Sequence, residues 1–130
     1  MKVIVIGCGR VGSRLATALA LRGDSVTVVD LETAAFHRLG KQYHGQRITG
    51  DGCNRDVLDR AGIERADALA AVTGSDEINA VLARLAATRL GVPRVVARIY
   101  APAKAEIYRR LGVRSRAQAV AVAERRGLLD

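Results

Sequence analysis

No tryptophan occurs in this chain, and one phenylalanine and three tyrosines bring the aromatic share of its 130 residues to only 3%. Sites that grip single-stranded nucleic acid stack bases on aromatic rings, so that class of partner is excluded by composition and no nucleic acid is expected. The core of a chain that is 49% hydrophobic must instead be built from aliphatic side chains. Two prolines rule out a proline-rich linker. The two cysteines, Cys8 and Cys53, are too few and too far apart for a disulfide framework or a thiolate metal site, and His37 and His44 have no neighbouring ligand-type residue, so no metal centre is expected. No apolar run approaches the roughly 20 residues that span a bilayer. Met1-Lys2 leads straight into a strand pattern with no room for a signal peptide, which predicts a cytosolic chain. With neither repeats nor low-complexity segments, residues 1–130 read as one domain without a second lobe.

Charge is plentiful but unevenly placed. The first 83 residues balance 10 basic against 10 acidic side chains, and residues 84–130 carry 11 against 3, so the whole net charge of +8 lies in the last third. Such asymmetry points to an acidic partner or an anionic surface.

The most informative stretch is an apolar run, residues 3–6, opening onto Gly7-Cys8-Gly9-Arg10-Val11-Gly12. The pattern G-x-G-x-x-G is weak alone. Here it follows a strand, opens a helix, and is answered by Asp30 at the end of a second apolar run. Gly7 permits the tight turn, Gly9 keeps the backbone open to a pyrophosphate, and Gly12 allows close helix packing. The helix that follows offers unpaired N–H groups and a positive dipole end to phosphates. A carboxylate at Asp30 accepts from ribose hydroxyls and repels a 2′-phosphate, which favours NAD or an adenine nucleotide over NADP.

Short aliphatic runs bounded by Gly, Pro, Asp or Thr predict strands at 2–6, 25–30, 47–49, 68–72 and 94–98. Helical periodicity predicts helices over 11–21, closed by Arg22-Gly23, and over 76–90, capped by Asp76 and ended by Gly91. This alternation predicts an α/β, Rossmann-like, doubly wound parallel sheet of order 3-2-1-4-5. Residues 117–122 read either as a sixth strand or as a crossover helix.

Ligands in such sheets sit beyond the carboxyl ends of the strands. Beside the glycine turn, that edge should hold Leu31 after Asp30, Asp51 and Gly52 after strand three, Thr73 and Gly74 after strand four, and Arg98 after strand five. Asp51 suits an adenine amino group and Arg98 a phosphate. The plainer reading of Asp51 and Asp76 is helix capping, and of Arg98 an ion pair.

The series Gly7 to Gly12, Asp30, Gly50-Asp51-Gly52, 61–67 (AGIERAD), Thr73 with Asp76-Glu77-Ile78-Asn79, Ala97-Arg98-Ile99 and Leu111-Gly112-Val113 resembles the N-terminal regulator-of-potassium-conductance domain, also called TrkA-N or KTN. The resemblance implies a regulatory site for NAD(H) or ATP/ADP, with Gly7, Cys8, Gly9, Arg10, Val11 and Gly12 at the phosphates, Asp30 at the ribose, Thr73 and Gly74 on the far side and Arg98 at a phosphate of this or the neighbouring subunit; Leu31, Asp51 and Gly52 complete the set of expected cofactor-binding residues. It also implies a homodimer that builds a ring, a membrane potassium channel or transporter as partner, and a peripheral position on the inner face of the membrane; the charge asymmetry makes the pore subunit or lipid headgroups candidate partners of the basic C-terminal third. The competing reading is a small NAD-dependent oxidoreductase, because Tyr100 and Lys104 have the Tyr-x-x-x-Lys spacing of short-chain dehydrogenases; Pro102 between them and the absence of a substrate domain weigh against it. A redox-sensing NAD-binding module is the third.

Overall fold

In the computed structural model, residues 1–101 are described. They form a five-stranded parallel sheet with helices on both faces. The chain runs β1 (Lys2–Ile6), α1 (Arg10–Leu21), β2 (Ser25–Asp30), a 3₁₀ segment (Thr33–Arg38), β3 (Gln46–Thr49), α2 (Arg55–Ala61), a short 3₁₀ turn (Ile63–Arg65), β4 (Ala68–Ala71), α3 (Asp76–Thr88) and β5 (Arg94–Ala97). The strand order is β3-β2-β1-β4-β5, the expected one. The topology reverses at β1, which pairs with β2 (Val3 beside Val26) and with β4 (Val3 beside Ala68).

The sheet is buried on both faces, which is why its central strands are apolar without alternation. Val3, Val5, Val26 and Val28 pack toward α1, against Val11 and Ala16. Ile4, Ile6 and Leu69 pack on the other side, against Leu58 of α2 and Leu82, Ala83 and Ala86 of α3. Ile4 is fully buried, and its truncation to Ala is expected to cost about 2–5 kcal/mol.

Helix ends show where local chemistry prevails over pattern. The turn after α1 follows expectation: Gly23 adopts φ +98°, and its N–H donates to the Ala20 carbonyl. The start of α3 does not. Ser75, not Asp76, is the cap, its Oγ accepting from the Ile78 N–H at 3.2 Å. Asp76 is instead the first helical residue and is buried. Regular α3 geometry also stops at Thr88 rather than at 90. At α2 the cap is Asn54, whose Oδ1 accepts from Asp56 N–H at 2.8 Å. The capping reading of Asp51 is therefore overturned: its Oδ1 accepts from the Cys53 N–H at 2.9 Å within the loop. The expected element over 117–122, together with Lys104, lies outside the described residues.

Candidate functional site

The carboxyl ends of β1, β2, β3, β4 and β5 converge on one crevice of about 510 Å³, within the range of small-ligand sites. Of the residues expected there, Gly7, Gly9, Arg10, Val11, Asp30, Leu31, Asp51, Gly52, Thr73, Gly74 and Arg98 all line it. Cys8 and Gly12 do not line it. Glu32, Ser75, Ile78 and Tyr100 also line it: Glu32 and Ser75 adjoin Leu31 and Gly74, Ile78 lies one helical turn beyond Gly74, and Tyr100 follows Arg98 by two residues.

The three glycines of the first turn differ in what surrounds them. Gly7 has φ +108°, and a Cβ there would come within 2.8 Å of the Val72 carbonyl oxygen. A Cβ on Gly12 would collide with the Gly7 carbonyl oxygen, so this glycine seats α1 against its own entry turn. Gly9 is the contrast: a Cβ there would meet nothing within 4 Å. The open volume lies where a phosphate group must reach the backbone of a helix N-terminus. Gly9 occupies the N-cap of α1 and contributes no side-chain cap, so the N–H groups of the first turn keep their anion-binding capacity.

Asp30 ends β2 and ties the turn together. Its Oδ2 accepts from the Cys8 N–H at 2.7 Å and its Oδ1 from the Glu32 N–H at 2.9 Å. Each carboxylate oxygen retains further acceptor capacity. Leu31 beside it is 66% exposed, an apolar surface at the crevice rim. Cys8 itself is buried, with its Sγ donating to the Ala35 carbonyl at 3.4 Å. Burial, reinforced by the Asp30 carboxylate, pushes its thiol up to about 11, so it stays protonated near neutral pH and is a poor nucleophile. Cys53 is exposed, and its thiol is also raised, by partial burial and then by Asp51.

The far wall is built from β4, α3 and β5. Thr73 lines the crevice, but its polar groups are committed: its N–H and Oγ1 both donate to Asn79 Oδ1, at 2.9 and 2.7 Å. A Cβ on Gly74 would meet nothing within 4 Å, so this loop too leaves room. The Arg98 guanidinium lies over the Tyr100 ring, 3.8 Å from its centroid, a cation–π contact that sets both side chains at the crevice. The acidic residues Asp30, Glu32 and Asp51 and the basic residues Arg10 and Arg98 all line it. Carboxylates that accept hydrogen bonds and guanidinium groups that donate them are thus both available to a ligand there.

Comparison with known proteins agrees with this architecture. Residues 3–120 match the TrkA-N domain family. The Trk system potassium uptake protein TrkA of Streptomyces coelicolor is 49% identical over 113 residues, covering 87% of this chain and 51% of that protein. The chain thus spans about half the length of this relative. The AMP-bound C-terminal domain of Kef from Shewanella denitrificans superposes with a TM-score of 0.75 at 25% identity, over 87% of this chain and 68% of that one. The TrkA-N domain of the inner membrane protein ybaL from Escherichia coli has the same fold, with a TM-score of 0.75 at 17% identity over 99% and 96% of the two chains.

Proposed function

Because the chain belongs to the TrkA-N domain family, we propose that it is the nucleotide-sensing lobe of a potassium-transport regulator, spanning residues 1–130. It binds NAD(H) or an adenine nucleotide in the crevice and passes the bound state to a membrane channel or transporter. The observation that carries this reading is the conjunction at one sheet edge of an open Gly9, the uncapped start of α1 and the Asp30 carboxylate. In this reading the α1 N-terminus, with Arg10, holds the phosphates. Asp30 accepts from the ribose hydroxyls, and Leu31 presents its apolar side chain to the adenine. Asp51 and Gly52 close that end, the Thr73–Gly74 backbone lines the far side, and Arg98 meets the terminal phosphate. The AMP carried by the Kef domain and the potassium uptake role of the Streptomyces relative support the two halves of the proposal.

The chain acts by binding, not by turnover. The match to a family of potassium-uptake regulators supports this, and the buried Cys8 thiol, held protonated, is a poor nucleophile. Among the described residues no helix is long and apolar enough to cross a membrane; in this proposal the coupling to a pore proceeds through association at the cytosolic face. A ligand gates such a pore only by binding one assembly geometry more tightly than another. The test is to measure potassium flux through the membrane subunit reconstituted with the full regulator, with and without NADH and ATP, alongside sedimentation of the chain under the same conditions. A nucleotide-dependent flux together with a homodimer whose association responds to the same nucleotide is expected. Flux that ignores every nucleotide contradicts the proposal.

A further inference from the structure

Two side chains on the first turn of α3, Asp76 and Asn79, are 6% and 0% exposed. Neither lines the crevice. Asn79 has all of its hydrogen-bonding capacity filled. Its Oδ1 accepts from the N–H and the hydroxyl of Thr73, while its Nδ2 donates to the Thr73 carbonyl at 3.1 Å and to the Arg98 carbonyl at 2.8 Å. Two donors and two acceptor positions are all that a carboxamide offers. Asp76 completes the arrangement: its Oδ1 accepts from the Tyr100 N–H at 2.7 Å and its Oδ2 from the Ala101 N–H at 3.2 Å. One helical turn therefore fastens the loop after β4 to the segment after β5 through six hydrogen bonds, of which the one to the Arg98 carbonyl is buried and the others are partly buried.

We infer that Asp76 and Asn79 are positioning residues that make the Thr73–Gly74–Ser75 loop and the 98–101 backbone one moving unit, so that a nucleotide in the crevice is felt at the amides of Tyr100 and Ala101. The inference rests on the nucleotide-binding reading above. Its physical basis is the asymmetry of buried hydrogen bonds. Pulling the segment after β5 away from α3 would leave the Arg98 carbonyl and the buried Asp76 carboxylate without these partners, which costs more than letting the segments shift together. The Thr73 loop is where a ligand touches the far wall. Tyr100 and Ala101 are the last described residues after β5. Asp76 and Asn79 lie between the two and bind both.

The test is amide NMR on the full 130-residue chain titrated with NADH and with ATP, following Gly9, Tyr100 and Ala101 in the wild type, in Asp76→Ala and in the nearly isosteric Asp76→Asn. In the wild type all three resonances are expected to move with one saturation curve. In the variants Gly9 still moves, because the phosphate turn is untouched, and the ligand-dependent movement of Tyr100 and Ala101 is lost. Should the Ala variant fail to fold, the Asn variant carries the comparison, since it keeps the shape and weakens the acceptor. Tyr100 and Ala101 resonances that stay still in the wild type while Gly9 moves overturn the inference. So do resonances that move equally in the folded variants, because the ligand then acts on them directly. If Gly9 does not move either, the nucleotide reading itself fails and takes this inference with it.

Discussion

The two walls of the crevice are held together by opposite means. The near wall, formed by the ends of β1 and β2, relies on missing side chains: Gly7 and Gly12 sit where a Cβ would strike backbone atoms, and Asp30 binds two main-chain N–H groups. The far wall relies on buried polar side chains, Asn79 and Asp76, that reach across from α3 to two loops. Close backbone approach at Gly7 and Gly12 leaves no room for that turn to repack. A wall built on side-chain hydrogen bonds is equally ordered but can shift as a unit. The difference separates a rigid binding face from a face suited to report occupancy.

The comparison is sharpened most severely by Gly12→Ala. Its new methyl falls on the Gly7 carbonyl oxygen, and overpacking against backbone should destabilise the fold by about 3 kcal/mol or more, read in urea denaturation. Asn79→Ala should come next, at about 3 kcal/mol, because it leaves several buried polar groups of the far wall unpaired. If Asn79→Ala costs nothing, the far wall is not held as described. Gly9→Ala breaks the parallel between glycines of one motif. With φ −82° and open space around the site, it should change stability by less than about 1 kcal/mol yet weaken nucleotide binding about tenfold or more. The smallest effect concerns the thiols. At pH 8 an alkylating reagent should modify Cys53 and spare the buried Cys8, whose raised pKa keeps it protonated, and unfolding should expose both. Mass spectrometry before and after adding denaturant reads this directly.

The near wall was legible in the sequence because its requirements are local. Gly7, Gly9 and Gly12 lie within six residues, and Asp30 falls at the end of the next strand, so a spacing rule captures them. The sheet order was legible for a similar reason: apolar runs alternating with helical periodicity leave few topologies. The far wall depends on contacts between residues distant in sequence. Asp76 looked like an N-cap because an acid before a helical pattern usually is one, and only the approach of the chain after β5 brings the Tyr100 and Ala101 amides to it. Asn79 reads as one polar residue on a helix until the fold places the Thr73 and Arg98 carbonyls beside its Nδ2. The cation–π contact of Arg98 with Tyr100 likewise depends on where the chain turns after β5, which no periodicity encodes.

The central claim, that the crevice binds a nucleotide through its near wall, is tested most directly by calorimetric titration of the purified chain with NAD, NADH, ATP, ADP and NADP, set beside Asp30→Ala. The account predicts saturable binding of NAD(H) or an adenine nucleotide and weaker binding of NADP. It also predicts a loss of about ten- to a hundredfold in affinity in the variant, the size expected for hydrogen bonds to a charged group. Equal affinity in wild type and variant, or no heat with any of the five, would contradict it.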